Sequence, residues 1–204
     1  MTVFMLIRHA LCDAVGRSIA GRSTGITLNR KGREQARELA GRLSHIPIRA
    51  VFCSPLERAC ETARPLAERL GVHIRLSRKL DEIHFGCWTG RGISSLEEIP
   101  EWRRFNRFRS GTRIPGGELM IEVQTRIVSE LDGLRAEFPG QIVAVISHGD
   151  VIKSAIAYYA GIPLDFIGRI EIEPASVSAV ELGDDGPRIL GINHTGRIEW
   201  GMEA

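Results

Sequence analysis

The sequence predicts an α/β fold, a three-layer α/β/α sandwich built on a mostly parallel central sheet with an antiparallel edge. Three observations carry that reading. Residues 3–7, 50–53 and 142–146 are short, wholly apolar runs of the kind found in strands buried on both faces. Amphipathic segments with helical spacing alternate with them, which is the pattern of a parallel sheet covered on both sides. Near the C-terminus, Asp184-Asp185-Gly186 joins two β-patterned runs, a hairpin signal.

Taken in order, residues 3–7 form the first strand and run straight into Arg8-His9. A Gly/Ser/Thr-rich loop follows through Gly21-Arg22-Ser23-Thr24-Gly25. Asn29 can cap a helix over residues 30–43, with Ala36, Leu39, Ala40 and Leu43 on one face. The strand at 50–53 ends at Ser54-Pro55-Leu56-Glu57, where Ser54 suits an N-cap, Pro55 the first helical position and Glu57 a capping box. That helix runs to about Leu70, and Gly71 supplies the left-handed stop.

Residues 72–76 suit a further strand, and 80–90 an irregular loop holding Asp81, Glu82 and His84. Residues 96–108 have helical spacing and lead into the turn Pro115-Gly116-Gly117. The long run with Leu119, Val123, Ile127, Leu131, Leu134 and Phe138 is an amphipathic helix ended by Pro139-Gly140. The strand at 142–146 leads through Ser147-His148-Gly149 into a helix that stops at about Ala160, before Gly161 and Pro163. Strands are expected near 170–173, 177–182 and 188–192.

At 204 residues, the chain suits one domain over 1–204, with residues 90–118 as an inserted substrate-covering segment. A net charge of +2 means that any basic site is local, and a nucleic-acid partner is not expected. The apolar start is too short for a membrane span or a secretory segment. The four cysteines, Cys12, Cys53, Cys60 and Cys87, lack metal-ligand or redox spacing and read as reduced thiols in a cytoplasmic protein. No metal or cofactor is implied.

Function enters where the strands end. Three of them deliver polar residues suited to phosphate chemistry: Arg8-His9, Ser54 with the helix carrying Arg58, and Ser147-His148-Gly149. In parallel α/β sheets, sites form beyond the carboxyl ends of the strands. If these strands are neighbours, two histidines and two arginines converge, and helix N-termini after Ser54 and Gly149 add N–H donors. A neutral imidazole is a good nucleophile near pH 7. Arginine offers a planar fork that matches phosphate. The leaving alkoxide needs a proton, hence a carboxylic acid of raised pKa.

These stretches resemble the histidine phosphatase superfamily, also called phosphoglycerate mutase-like. Leu6-Ile7-Arg8-His9-Ala10 is similar to its Arg-His-Gly signature. Ser54-Pro55-Leu56-Glu57-Arg58-Ala59-Cys60-Glu61-Thr62-Ala63, Leu80-Asp81-Glu82-Ile83-His84-Phe85-Gly86-Cys87-Trp88-Thr89-Gly90 and Ser147-His148-Gly149 follow in the family's order. Pro115-Gly116-Gly117-Glu118 and Asn193 also resemble family features. The resemblance implies a phosphohistidine on His9, a phosphate pocket of Arg8, Arg58 and His148, and Glu82 as general acid. Gly149 would add a backbone contact, and Arg22, Ser23 and Thr24 would reach the substrate. The chain departs from many relatives at Ala10, Leu11, Cys12 and Val15, so an asparagine donor is missing at Val15.

Plainer readings stand beside these. His9 or Arg58 alone would be structural; their joint occurrence in matching contexts lifts them. Asp81 is an alternative to Glu82 as the acid, and His84 suits packing on Trp88. Trp102, Phe105 and Phe108 recur every three residues among Arg103, Arg104, Arg107 and Arg109. They suit an apolar helix face with a solvated basic side, or else a lid whose arginines meet an anionic substrate.

The leading expectation is metal-independent hydrolysis of small phosphomonoesters, in the compact phosphatase branch of the family. The alternatives are a mutase-type phosphotransferase and a weakly catalytic phospho-ligand-binding protein. The partner is a small phosphorylated metabolite, with no nucleic acid and no membrane. The chain would be a monomer, or a homodimer paired along the C-terminal strand edge.

Overall fold

Side chains of a strand alternate between two faces, so a strand with no polar residue can be buried only if both faces are covered. The computed structural model, which describes residues 1–196 and 198, meets that requirement. Strand β1 (Thr2–Arg8) sends Phe4 and Leu6 to one face, and Met5 and Ile7 to the other. Strands β2 (Ile48–Cys53) and β4 (Ile142–Ser147) divide likewise: Phe52, Val143 and Val145 lie with the first set, Val51, Ala144 and Ile146 with the second.

Helices α1 (Arg30–Leu43) and α2 (Glu57–Leu70) close the second face through Leu39, Leu43, Ala59, Ala63 and Leu66. The first is closed by α5 (Met120–Glu137) and α6 (Gly149–Ala160), through Val123, Ile127, Leu131, Ile152 and Ile156. Two short helices, α3 (Ile93–Leu96) and α4 (Pro100–Arg107), lie between β3 (Ile74–Leu76) and α5. Strands β5 (Val177–Gly183) and β6 (Gly186–His194) end the described fold.

The sheet order is β3-β2-β4-β1-β5-β6. β1 and β2 flank β4 in parallel, and β3 extends the parallel block beside β2. β5 runs antiparallel to β1, and β6 to β5. The carboxyl ends of β1, β2 and β4 are therefore adjacent. Among the described residues no helix is long and apolar enough to cross a membrane.

Local signals act much as read. Asn29 caps α1 by accepting from the Gly32 amide at 2.9 Å. Gly71 and Gly161 end α2 and α6 in the left-handed conformation. Three expectations need correction. Ser54 does not cap α2: its helix starts at Glu57 after Leu56, the Ser54 hydroxyl is engaged inside the protein, and the Glu57 carboxylate accepts from the Gly25 amide instead. Residues 96–108 are not one helix, because Pro100 restarts the chain as α4 after α3 has ended at Leu96. Residues 170–173 are not a strand. Ile170 and Ile172 are buried, but the Ile172 carbonyl accepts from Arg8 and the Glu173 amide donates to the Asn193 side chain, so these groups are spent outside a ladder.

Gly32 marks where α1 meets the loop after His9: a Cβ there would stand 1.9 Å from the Leu11 carbonyl oxygen. Gly32→Ala is expected to displace that loop and lower the thermal midpoint, whereas Gly41→Ala, on open ground in the same helix, should hold or raise it. Thermal unfolding of the two variants side by side checks this.

Candidate active site

Just beyond β1, the His9 amide donates to the Ser147 carbonyl at 2.9 Å, so the ladder between β1 and β4 holds the backbone of His9 in place. The ring is almost fully buried. Its Nδ1 lies 2.8 Å from the Ala10 carbonyl oxygen. A carbonyl can only accept, so Nδ1 carries the hydrogen and the Nε2 lone pair is left free. The Ala10 amide is in turn tied to the Thr62 hydroxyl on α2.

His148, the residue before α6, is completely buried, and its ring centroid lies 5.2 Å from that of His9. The Ser54 hydroxyl donates to Asp81 Oδ1 at 3.0 Å, so its oxygen accepts from His148 Nε2, also at 3.0 Å. Asp81, Ser54 and His148 thus form a chain that fixes the second ring in the opposite tautomer. Its Nδ1 has no hydrogen-bond partner and lies 3.7 Å from Glu82 Oε2.

The arginines are held by backbone carbonyls rather than by carboxylates. Arg58 is fully buried, with Nη2 donating to the Gly21 carbonyl at 2.8 Å, while Nε and Nη1 have no partner. Arg8 donates from Nη1 to the Ile172 carbonyl at 2.6 Å, and its buried Nε is unpaired. Buried, unsatisfied donors of this kind are costly and rare in folded proteins. Here they gather at one place: Arg8, His9, Arg58, Glu82 and Gly149 line a single cavity of about 250 Å³. A Cβ at position 149 would come within 3.3 Å of Arg8 Nε, so glycine keeps the start of α6 close to that donor.

Of the two adjacent carboxyls, Glu82 is the one lining the cavity, while Asp81 faces Ser54. The Glu82 loop is clamped from behind. Arg22 and Arg126 both donate to the Glu82 carbonyl, at 2.8 and 3.2 Å, and Glu118 pairs with both guanidinium groups. Arg22 therefore stands behind Glu82 and outside the cavity lining. Ser23, half-buried, and Thr24, exposed, are outside it as well. Val15 and Cys12, two of the unusual positions, are on the wall.

The electrostatics follow from burial among cations. His9 is pushed down to about 3 by burial and then by the neighbouring Arg58 and Arg8 guanidinium groups, against the Ala10 hydrogen bond. Burial, His9 and Arg58 likewise hold His148 well below its ordinary value. Glu82 is raised by burial, although Arg58 and the Ile83 amide oppose the shift. The imidazoles are therefore neutral, and Glu82 is biased toward its protonated form. A phosphate dianion would offset the cations that add to burial in lowering the rings. Among the described residues no group of three or more His, Cys, Asp or Glu side chains is placed to hold a metal ion.

A family model described as "Histidine phosphatase superfamily (branch 1)" matches residues 4–195. The chain belongs to the histidine phosphatase superfamily. As a member, it is an enzyme of the phosphomonoesterase and mutase-like kind. Similar curated proteins include phosphoserine phosphatase 1 of Hydrogenobacter thermophilus, 28% identical across 100% of this chain and 98% of that one. A probable phosphoglycerate mutase GpmB of Escherichia fergusonii is 33% identical across 86% and 83%. The solved structure of an alpha-ribazole phosphatase from Shigella flexneri superposes with a TM-score of 0.85 at 25% identity, covering 99% of this chain and 100% of that one.

Several site residues were not anticipated. Ser54 was read as a cap and turns out to orient His148. Asp150 and Lys153, three residues apart on α6, both line the cavity, and Lys153 lies four residues after Gly149 on the same face of the helix. Trp102 and Phe105 form an apolar cluster with Trp88, while Arg103, Arg104 and Arg107 are exposed. His84 is exposed, and Phe108 is 46% exposed rather than part of the buried face. Arg109 lies over the Phe105 ring and pairs with Asp150 at 2.7 Å.

The depressed histidines make the protein acid-sensitive. Unfolded, each titrates near 6.5; folded, each takes its proton at lower pH, so the unfolded chain binds more protons in between. Their contribution is complete above pH 6.5 and declines as pH falls toward the folded values. Glu82, being raised, acts with the opposite sign above 4.5, as one group against two. The thermal midpoint in phosphate-free buffer is expected to fall from pH 7 to pH 5, and less steeply in His9→Ala. Equal slopes in the two proteins would contradict this account.

Proposed function

We propose that the protein hydrolyses small phosphomonoesters in two in-line steps through a phosphohistidine on His9, without a metal ion. The observation that supports this best is the meeting of unpaired, buried arginine N–H groups with an imidazole whose Nε2 lone pair is free. Arg58 Nε and Nη1, Arg8 Nε and the N-terminus of α6 receive the phosphate oxygens, whose charge raises His148 until its Nδ1 also donates. Gly149 serves by letting the backbone approach Arg8.

In the first step Nε2 of His9 forms a bond to phosphorus, the bond to the ester oxygen breaks, and protonated Glu82 gives its proton to the departing alcohol. In the second, the Glu82 carboxylate takes a proton from water, the water oxygen attacks phosphorus, the P–N bond breaks and phosphate leaves. Glu82 is thereby restored. Arg22 acts by steadying the Glu82 loop, and Ser23 and Thr24 are kept as rim contacts for substrate. Residues 90–118 are read as the segment that covers it, since Ile93 reaches the cavity wall and Arg109 pairs with Asp150. The four free thiols fit a reducing, cytoplasmic setting.

The test is a panel of phosphomonoesters assayed with chelator present. Wild type should release free phosphate and carry an acid-labile phosphoenzyme, and His9→Ala should do neither. Glu82→Gln should lower kcat roughly 10²- to 10⁴-fold while still binding phosphate. Activity that survives His9→Ala, or that chelator abolishes, would refute the proposal. The 33%-identical relative named as a probable mutase motivates a second reading. Isomerisation of a phosphoglycerate, dependent on a bisphosphate primer and exceeding phosphate release, would favour it.

A further inference from the structure

We infer that Cys60 and Cys53 form an oxidation-sensitive dithiol site: Cys60 reacts with a hydroperoxide, and Cys53 converts the product to a disulfide that distorts the adjacent phosphate pocket. The two sulfurs are in contact, 3.9 Å apart. Both face the Ser54 carbonyl oxygen, which lies 2.8 Å from the Cys53 sulfur and 3.5 Å from that of Cys60.

Position divides the roles. Cys60 sits in the first turn of α2, partly exposed, where the helix end favours a thiolate. The neighbouring Cys53 thiol, and after it Arg64, bring Cys60 down to about 7 against the opposing effect of burial. Cys53 closes β2, is wholly buried, and is raised well above its ordinary value, chiefly by that burial. An oxidant therefore reaches Cys60, and Cys53 is the thiol that resolves it.

The Cys60 thiolate attacks the outer oxygen of the hydroperoxide and the O–O bond breaks. The departing alkoxide takes a proton from water, and the sulfur, having lost two electrons, becomes a sulfenic acid. The Cys53 sulfur then attacks the Cys60 sulfur, the S–O bond breaks, and hydroxide leaves with the Cys53 proton as water. Two thiols and one hydroperoxide thus give a disulfide, an alcohol and water.

A disulfide holds its sulfurs roughly 2 Å apart, so one side must move by about 2 Å. Cys53 cannot yield easily, because it is paired with Ile146 of β4 and Leu76 of β3, and its carbonyl accepts from the Ser77 amide. The displacement falls on the first turns of α2. These carry Arg58, and also Thr62, whose hydroxyl holds the Ala10 amide beside His9. Ser54, which meets His148, lies inside the closed loop. Oxidation therefore misaligns the phosphate donors without touching them.

The test treats the full-length protein, reduced and then freed of reductant, with hydrogen peroxide. Trypsin cuts after Arg58, between the two cysteines, so the disulfide would join two peptides that reduction separates. This cross-link should accumulate in step with a roughly 10- to 100-fold loss of phosphomonoester hydrolysis, the scale expected for ångström displacements in a site. Dithiothreitol should reverse both. Cys60→Ala should keep the untreated rate and resist peroxide. Cys53→Ala should hold a sulfenic acid on Cys60 that dimedone captures, with no cross-link. No cross-link in wild type, a cross-link without loss of rate, or equal loss in Cys60→Ala would overturn the inference. Should Cys53→Ala fail to fold, wild type and Cys60→Ala still decide. A reduced protein that hydrolyses no ester would count instead against the phosphomonoesterase reading; the effect of the disulfide is then read as weaker thermal stabilisation by inorganic phosphate, and undiminished stabilisation would overturn it.

Discussion

The arrangement rests on one unfavourable interaction that the fold sustains: the guanidinium of Arg58, entirely buried, forms no ion pair with a carboxylate among the described residues. An ion in the interior is ordinarily paired or neutralised, and arginine cannot shed its proton. One N–H group is satisfied by the Gly21 carbonyl and two are left unmet. The first-turn position of Arg58 on α2 and the packing of that helix through Ala59, Ala63 and Leu66 hold the charge there. Its field, added to burial, keeps both imidazoles neutral. The same cation set that would favour a dianion thus keeps the imidazoles neutral, while Glu82 is raised by burial against that field.

Parallel pairing makes that set possible. β4 lies between β1 and β2, and all three run the same way, so residues 8–9, 54–58 and 147–149 leave the sheet at one edge. An antiparallel neighbour would have sent one of these stretches to the far end. The antiparallel strands β5 and β6 are confined to the other side of β1, where they contribute no residue to the cavity lining. They still assist indirectly, because the segment leading into β5 supplies the Ile172 carbonyl that holds Arg8.

What could be read from the sequence, and what could not, follows from the range of the interactions. α1 and α6 agree with their expected limits because capping and left-handed stops are decided within a few residues. The all-apolar strands were legible because only a sheet covered on both faces can use them. The convergence of Arg8, His9, Arg58, Glu82 and His148 depended on strand order, which the sequence implied without containing. Ser54 was misread because a serine before Pro55 satisfies the local rule for a cap, while its partners, Asp81 and His148, are 27 and 94 residues away. Residues 170–173 have a strand-like pattern, but pattern reports burial and not the destination of backbone groups. Lys153 carried a usable signal in its spacing from Gly149, yet a lysine on a helix reads as solvated until the cavity beside it is known.

The choice between the adjacent carboxyls shows how finely position decides chemistry. In the extended backbone that follows the turn at Arg78–Leu80, successive side chains point opposite ways, so Asp81 and Glu82 cannot share an environment. Asp81 accepts from the Ser54 hydroxyl, and through that hydroxyl it fixes the tautomer of His148. Glu82 meets the cavity, where burial raises it toward the acid form that the proposed proton transfer needs. Interchanging the two side chains would preserve the composition and the net charge of the loop. It would nevertheless put the shorter carboxyl at the cavity and the longer one against Ser54, loosening the link to His148 and drawing the proposed proton donor back from the cavity.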